Sequence, residues 1–579
     1  MCIRDSNMCH ATGSRPGIQD PAAFDTQVAE FGISCEACHG PGSVHAAQPA
    51  IPMPVAVAID SQWAFVDGPI ASRLTDSAQA AAEQVDSCAA CHSRRAQLAS
   101  HEAGVAFLDA FEPRWLTPEL YHADGQILDE VFVYGSFVQS AMHSAGVACT
   151  DCHEPHSGEL RARGDALCSQ CHRADVFAVT DHHRHAPDAQ PECVDCHMPA
   201  TTYMQVDPRR DHSFRVPRPD LTAALESPNA CNNCHSDRDP GWAQESIEQW
   251  FPTGRWREAH YGEALAAGRS WSADRRPKLQ QVFYDESQPA IVRATALSLL
   301  AQQFDGGVLD AIEFAVRSPL AMLQLAGLQA LENADPASRI RLGQRFLDSE
   351  LLTLRINAAR MLIGAEAGLS ERRRADFDAA MQEFARALEY NADTAEGLLG
   401  TGLLAAQTNR IAVAESAYRE AIERNPGLSA AFINLADLLR FDGREAEAND
   451  ILQRAIDGPA GDDPGLYAAL GLSHVRLGDT DAAVAALARA AELAPDDPYH
   501  AYTYGLALAS IDSNDAAIAY FEDAIATVPG YAPILIALAT MNRDAGRIDA
   551  AREYTRRLLD VSPGDPAAVA LERELSLQR

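Results

Sequence analysis

One frame recurs six times within the first 235 residues: two cysteines three positions apart, with histidine directly after the second. The frames are Cys35, Cys38 and His39; Cys88, Cys91 and His92; Cys149, Cys152 and His153; Cys168, Cys171 and His172; Cys193, Cys196 and His197; and Cys231, Cys234 and His235. Positions i and i+3 of a helical turn share one face, so both thiols reach the same object and the next side chain can reach it too. Zinc knuckles explain paired cysteines, a redox dithiol explains one pair, and disulfides explain an even count. None of them explains a histidine after every second cysteine. Covalent haem c does: the thiols add to its two vinyl groups and the histidine ligates the iron.

Electron-transfer haems usually take a second axial ligand. Besides His10, ten further histidines lie at or before residue 260, whereas only His474 and His500 follow it. That concentration predicts mostly bis-histidine ligation. The distal candidates are His45, His143, His156, His182, His183, His185 and His212. His45 and His156 sit so close to their own motifs that each is expected to reach a neighbouring haem. For each candidate, a surface or propionate-binding role stays open. Arg94, Arg95, Arg209 and Arg210 suit haem propionates by guanidinium geometry, or are solvated charges.

Only 19 and 25 residues separate His153 from His172 and His172 from His197, too little chain for a conventional core between them. The expectation is a loop-rich haem domain with short helices, in which porphyrins replace much of the core. Closely packed haems conduct electrons, so a wire is the default function.

Near residue 255 the character changes. Stretches beginning at Ala290, Pro319 and Leu351 carry apolar residues at helical spacing and resemble HEAT repeats. Further on, Gly402, Ala414, Tyr418, Ala421 and Pro426 follow the tetratricopeptide pattern. The same offsets recur from Ala436, Gly471, Gly505 and Ala539, where Thr555 replaces a large apolar residue as in a capping repeat. Half a unit with Ala380, Phe384 and Ala387 precedes them. Such solenoids present a concave face to peptides or proteins. The predicted fold is therefore mainly α: a multihaem cytochrome domain over 7–254, HEAT-like helices over 255–370 and a tetratricopeptide solenoid over 371–579.

The stretches around Cys35 (CEACHGPGSVH), Cys149 (GVACTDCHEPHSGEL), Cys193 (ECVDCHMPATTYM) and Cys231 (SPNACNNCH) resemble a bacterial family of multihaem cytochromes c with C-terminal tetratricopeptide repeats. These cytochromes are c-552/c-554-like with doubled C-x-x-C-H motifs. The first element is also similar to the tetrahaem cytochromes of ammonia oxidation and to a superfamily of multihaem nitrite and hydroxylamine enzymes. The resemblance implies haem c, a redox protein partner and further motifs upstream of Cys35. It also permits an enzyme acting on a small nitrogen or sulfur oxyanion, such as nitrite, hydroxylamine or tetrathionate, at one open haem. Tyr203, Arg209, Asp211 and His212 are candidates to line such a site, although every complete motif here ends in His and none in Lys.

A formal charge of −34 argues against nucleic acid, whose phosphates need a basic surface. No run of eighteen apolar residues spans a membrane. Haem attachment to reduced thiols takes place outside the bacterial cytoplasm, which implies the periplasm or cell surface. Yet Met1–His10 has no apolar core of a signal peptide. Residues 1–6 read as a translated sequencing adaptor, with Ser6 standing where a motif cysteine would be. Cys9 and His10 are then the remainder of a seventh, truncated haem motif, and the export signal is missing through the same truncation.

Overall fold

The computed structural model describes residues 9–15, 17–20, 23–55, 61–75, 78–186, 191–511 and 514–577. The adaptor reading of residues 1–6 falls outside them. The chain is mainly helical, but its two halves reach that state differently.

In the first half, helices are short and tied to the cysteine motifs: Cys35–His39, Cys149–Cys152, Cys193–His197 and Cys231–Cys234. Asp165–Cys168 ends where its motif begins, and the turn continues through Cys171 N–H to Cys168 O at 3.1 Å. The longest, Ala78–His92, carries its motif in the last turn. Between them run two-stranded antiparallel hairpins, among them Trp63–Ala64 with Ser72–Arg73, Arg95–Gln97 with Phe111–Pro113, and Ala200–Tyr203 with Asp207–Arg210. The first straps the paired motifs together. Trp63 Nε1 donates to Asp151 Oδ1 at 3.2 Å, Ala71 N–H donates to Cys171 O at 2.7 Å, and Arg73 donates to Gly146 O.

The second half is an α-solenoid of stacked helices from Tyr261–Arg269 to Pro566–Leu577. Ala290–Ala301, Ala321–Ala330 and Leu352–Leu362 cover the stretches with helical spacing, and Gly306–Arg317 and Pro336–Gly343 fill the intervals. Asp305 and Asp335 start those two by accepting backbone N–H bonds at the N-cap. One apolar core runs from Val85 to Ala380 without a break at residue 254. Phe107, Phe111 and Leu116 are buried in it with Leu297, Leu328 and Leu354, each contributing roughly 1.5–3 kcal/mol by leaving water. Polar bonds fix the register of this joint. Trp115 Nε1 donates to Gln329 Oε1 at 2.9 Å, Asn357 Nδ2 to Glu112 Oε2 at 2.8 Å, and Leu352 N–H to Asp109 Oδ1 at 2.7 Å.

Helix pairs follow from Ala395–Gln407 with Ile411–Arg424 to Ala532–Asp544 with Ile548–Val561. Close approach dictates the small residues: a Cβ on Gly402 would lie 2.4 Å from Tyr418 Cε1. The array does not end on its fifth unit. Helix Pro566–Leu577 packs Ala568, Leu571 and Leu575 onto it, so Thr555 is buried at 3% exposure and turns its Oγ1 to Ala551 O at 2.8 Å. The solenoid curves far enough for its fourth and fifth repeats to meet the loop after its first helix. There Gly530 N–H donates to Trp271 O at 2.6 Å, and the Trp271 ring meets Tyr531 edge-on at 5.1 Å. No helix among the described residues is long and apolar enough to cross a membrane.

Candidate metal centre

Four motif histidines each face a second imidazole. His39 faces His156 with ring centres 6.2 Å apart and planes 9° from parallel. His153 faces His212 at 6.4 Å and 23°, His197 faces His182 at 6.1 Å and 17°, and His235 faces His185 at 6.1 Å and 27°. Two metal–nitrogen bonds of about 2.0 Å, plus roughly 1.1 Å from each Nε2 to its ring centre, put the ring centres of two axial imidazoles about 6.2 Å apart. The four separations match that span.

The other ring nitrogen is engaged in the way a ligand requires. Nδ1 of His39 donates to Val55 O at 3.0 Å, that of His197 to Arg215 O at 2.6 Å, that of His212 to Arg210 O at 2.9 Å and that of His185 to His183 O at 2.6 Å. His156 Nδ1 lies 3.1 Å from Glu154 Oε1. A proton held on Nδ1 leaves the lone pair on Nε2, and the acceptor fixes the plane of the ring. Burial pushes the imidazoles of His92, His143, His153, His172, His182 and His212 below the ordinary histidine range, which favours the neutral, ligating form.

A single backbone feature separates the clustered candidates. Helix Thr180–His183 ends at Arg184 in the left-handed region, φ 60°, so the chain turns sharply. His182 consequently goes to His197 and His185 to His235, while His183 Nδ1 accepts from His185 N–H at 3.1 Å and shapes the turn.

The remaining candidates stand apart. His45 bonds Ile51 O through Nδ1 at 2.6 Å, and His143 meets the edge of Phe137 at 5.5 Å. Among the described residues no second imidazole is in ring contact with His10, His92, His172, His45 or His143. His101, outside the shortlist, is a residue sequence reasoning passed over: its Nδ1 is buried without a hydrogen-bond partner. Arg209 pairs with Glu130 and Asp207, both at 2.7 Å, and Arg210 with Asp195 at 3.4 Å, so both already have protein carboxylates. Tyr203 is a core residue at 8% exposure.

The motifs themselves abut. Cys9 Sγ lies 3.6 Å from Cys91 O, Cys88 neighbours Cys149, and Cys168 neighbours Cys193. No disulfide joins the described cysteines. A structural zinc site needs about four converging donors, and no group of three or more His, Cys, Asp or Glu side chains able to hold an ion occurs among the described residues. Paired thiols beside one imidazole, with a second imidazole across a metal-sized gap, fit haem c.

Comparison with known proteins agrees. Residues 143–177, from His143 through two motifs to Phe177, match the doubled CXXCH motif. That segment is a haem c attachment unit. Residues 366–429, 408–464, 468–532 and 512–575 match tetratricopeptide repeats, so the C-terminal arm is a tetratricopeptide array suited to binding protein. No curated protein matches the chain. Solved structures similar to it include YrrB, a TPR protein with an unusual peptide-binding site, at 23% identity over 33% of this chain and 97% of that one, with a TM-score of 0.26. A thermophilic TPR protein of Thermus thermophilus, TTC0263, is 22% identical over 32% and 100% of the two chains, with a TM-score of 0.26. PilW, a type IV pilus biogenesis factor, is 19% identical over 37% and 97%, with a TM-score of 0.29.

Proposed function

We propose that this chain is a periplasmic or otherwise extracytoplasmic multihaem cytochrome c of the c-552/c-554-like kind, carrying electrons to or from a redox protein docked by its tetratricopeptide arm. On this reading 7–254 is the haem domain, 255–370 the HEAT-like region and 371–579 the docking arm. Six haems are anchored by the six complete motifs, with proximal His39, His92, His153, His172, His197 and His235. Cys9 and His10 are assigned on the same reading to a seventh haem site.

The observation that carries this reading is the set of four imidazole pairs at iron-spanning distance. On this reading His156, His212, His182 and His185 are the distal ligands, supported by those ring separations. Each bound haem supplies one electron's worth of ferric–ferrous chemistry. The chain's own contribution is to hold two neutral imidazoles per site, fix their planes through Nδ1 and keep the sites adjacent by packing motif against motif. Expression with export and haem attachment, followed by intact mass and ferric electron paramagnetic resonance, tests it. Added mass of at least six haems and predominantly low-spin signals are expected.

A second reading, a reductase or oxidase of a small nitrogen or sulfur oxyanion, is favoured by His92, which has no facing imidazole among the described residues and lies near the cations Arg95 and Arg209. A high-spin ferric signal moved by nitrite, hydroxylamine or tetrathionate would favour that activity.

A further inference from the structure

The carbonyl that receives the His197 Nδ1 proton belongs to Arg215, and the backbone bracket is double: His197 Nδ1 to Arg215 O at 2.6 Å, and Arg215 N–H to His197 O at 3.0 Å. The side chain of the same residue is 13% exposed and runs into a polar knot where the two halves of the molecule meet. Its Nη1 donates to Asp124 O at 2.7 Å and its Nη2 to Gln139 Oε1 at 3.2 Å. Gln139 Oε1 also accepts from Tyr261 Oη at 2.6 Å, and Tyr261 opens the first helix of the solenoid. The knot is tight: a Cβ on Gly125 would fall 2.1 Å from Gln139 Oε1 and 3.1 Å from Arg215 Nη2.

Arg215 finds mostly neutral acceptors. The Asp124 carboxylate accepts from Gln126, through N–H at 3.1 Å and Nε2 at 2.7 Å, and Asp211 Oδ2 lies 3.5 Å from Arg215 Nε. Both buried carboxylates offset the guanidinium charge. A cation beside an axial ligand favours the reduced metal, which carries one positive charge fewer. The Nδ1–H to carbonyl bond acts the other way by making the imidazole more basic, but His39, His185 and His212 share that bond and it singles out no centre. The acceptor residues of His39 and His185 are Val55 and His183, and Arg210, the acceptor for His212, is half-exposed and paired with Asp195. Only at His197 does the acceptor residue also bury a cation.

We propose that Arg215 is a positioning residue that raises the reduction potential of the His197–His182 centre above the value that the buried carboxylates Asp124 and Asp211 alone would give it. This rests on the haem reading above.

The test is a potentiometric titration of the full-length haem-loaded chain and of Arg215→Gln and Arg215→Lys, with spin state recorded alongside. Arg215→Gln is expected to lower one midpoint by about 59 mV, which is tenfold less reduced at a fixed potential for a one-electron step, while the centre stays low-spin. Arg215→Lys, which keeps the charge, is expected to restore most of the shift. An unchanged midpoint in fully loaded Arg215→Gln overturns the proposal, as does an equal fall in both variants. If Arg215→Gln does not fold, Asp211→Asn removes the opposing charge and is expected to raise the same midpoint; no rise overturns the proposal equally. A wild-type chain exported without a Soret band would instead sink the haem reading itself, and the two failures are told apart by that band.

Discussion

His39 and His156 belong to segments far apart in the chain, yet their rings face one another at 6.2 Å with planes 9° from parallel. The His156 side chain is 78% exposed, so it contributes little packing. His156→Ala is therefore expected to change stability by no more than about 0.5 kcal/mol. It should convert one low-spin ferric haem into a high-spin or ligand-exchangeable one, read by electron paramagnetic resonance and cyanide binding. His45→Ala should leave the four paired centres unaltered.

His260 opens the solenoid by accepting the Gly262 N–H on its Nδ1 at 3.0 Å, which only an imidazole unprotonated at that nitrogen can do. Burial lowers its pKa to about 4, below the value of about 6.5 expected for the unfolded chain. The unfolded state thus binds more protons between those values. The associated stability, at most about 3 kcal/mol, is fully present above pH 6.5 and is lost as pH falls through about 4. Urea unfolding between pH 4 and pH 7 measures it, and His260→Asn, which keeps a cap but cannot titrate, should flatten that window.

The return contact between Gly530 and Trp271 leaves no space for a side chain, since a Cβ on Gly530 would lie 2.7 Å from Trp271 O and 2.6 Å from Ser272 O. Both atoms are backbone and cannot swing away. Gly530→Ala is expected to break the contact at a cost of about 1–3 kcal/mol. Hydrogen exchange at 528–535 should rise, with the haem spectra unchanged.

Within the array, Gly402→Val would drive a branched side chain into the ring of Tyr418. Overpacking of this kind costs about 1–3 kcal/mol. Because repeats contact only their neighbours, calorimetry should show the loss confined to the tetratricopeptide transition.

The cysteine frames were legible because their signal is local: three residues of spacing and one following side chain. The repeats were legible for a similar reason, as Gly402 and Tyr418 recur as Gly505 and Phe521 at the same offset. Pairing of the imidazoles was not. His182, His183 and His185 look equivalent in sequence, and only the left-handed turn at Arg184 sends two of them to different motifs and withholds the third. Arg215 escaped notice because its contribution to His197 begins with a backbone carbonyl, which carries no residue-specific signature. The helix Pro566–Leu577, which covers Thr555, likewise lies beyond the last repeat signature and leaves no mark in the repeat pattern.

Intact mass combined with ferric electron paramagnetic resonance on the exported protein tests the central claim most directly. The account predicts a mass above the polypeptide by at least six haems, with at least four low-spin bis-imidazole centres. A polypeptide mass with no haem, or haems that are all high-spin, would contradict it.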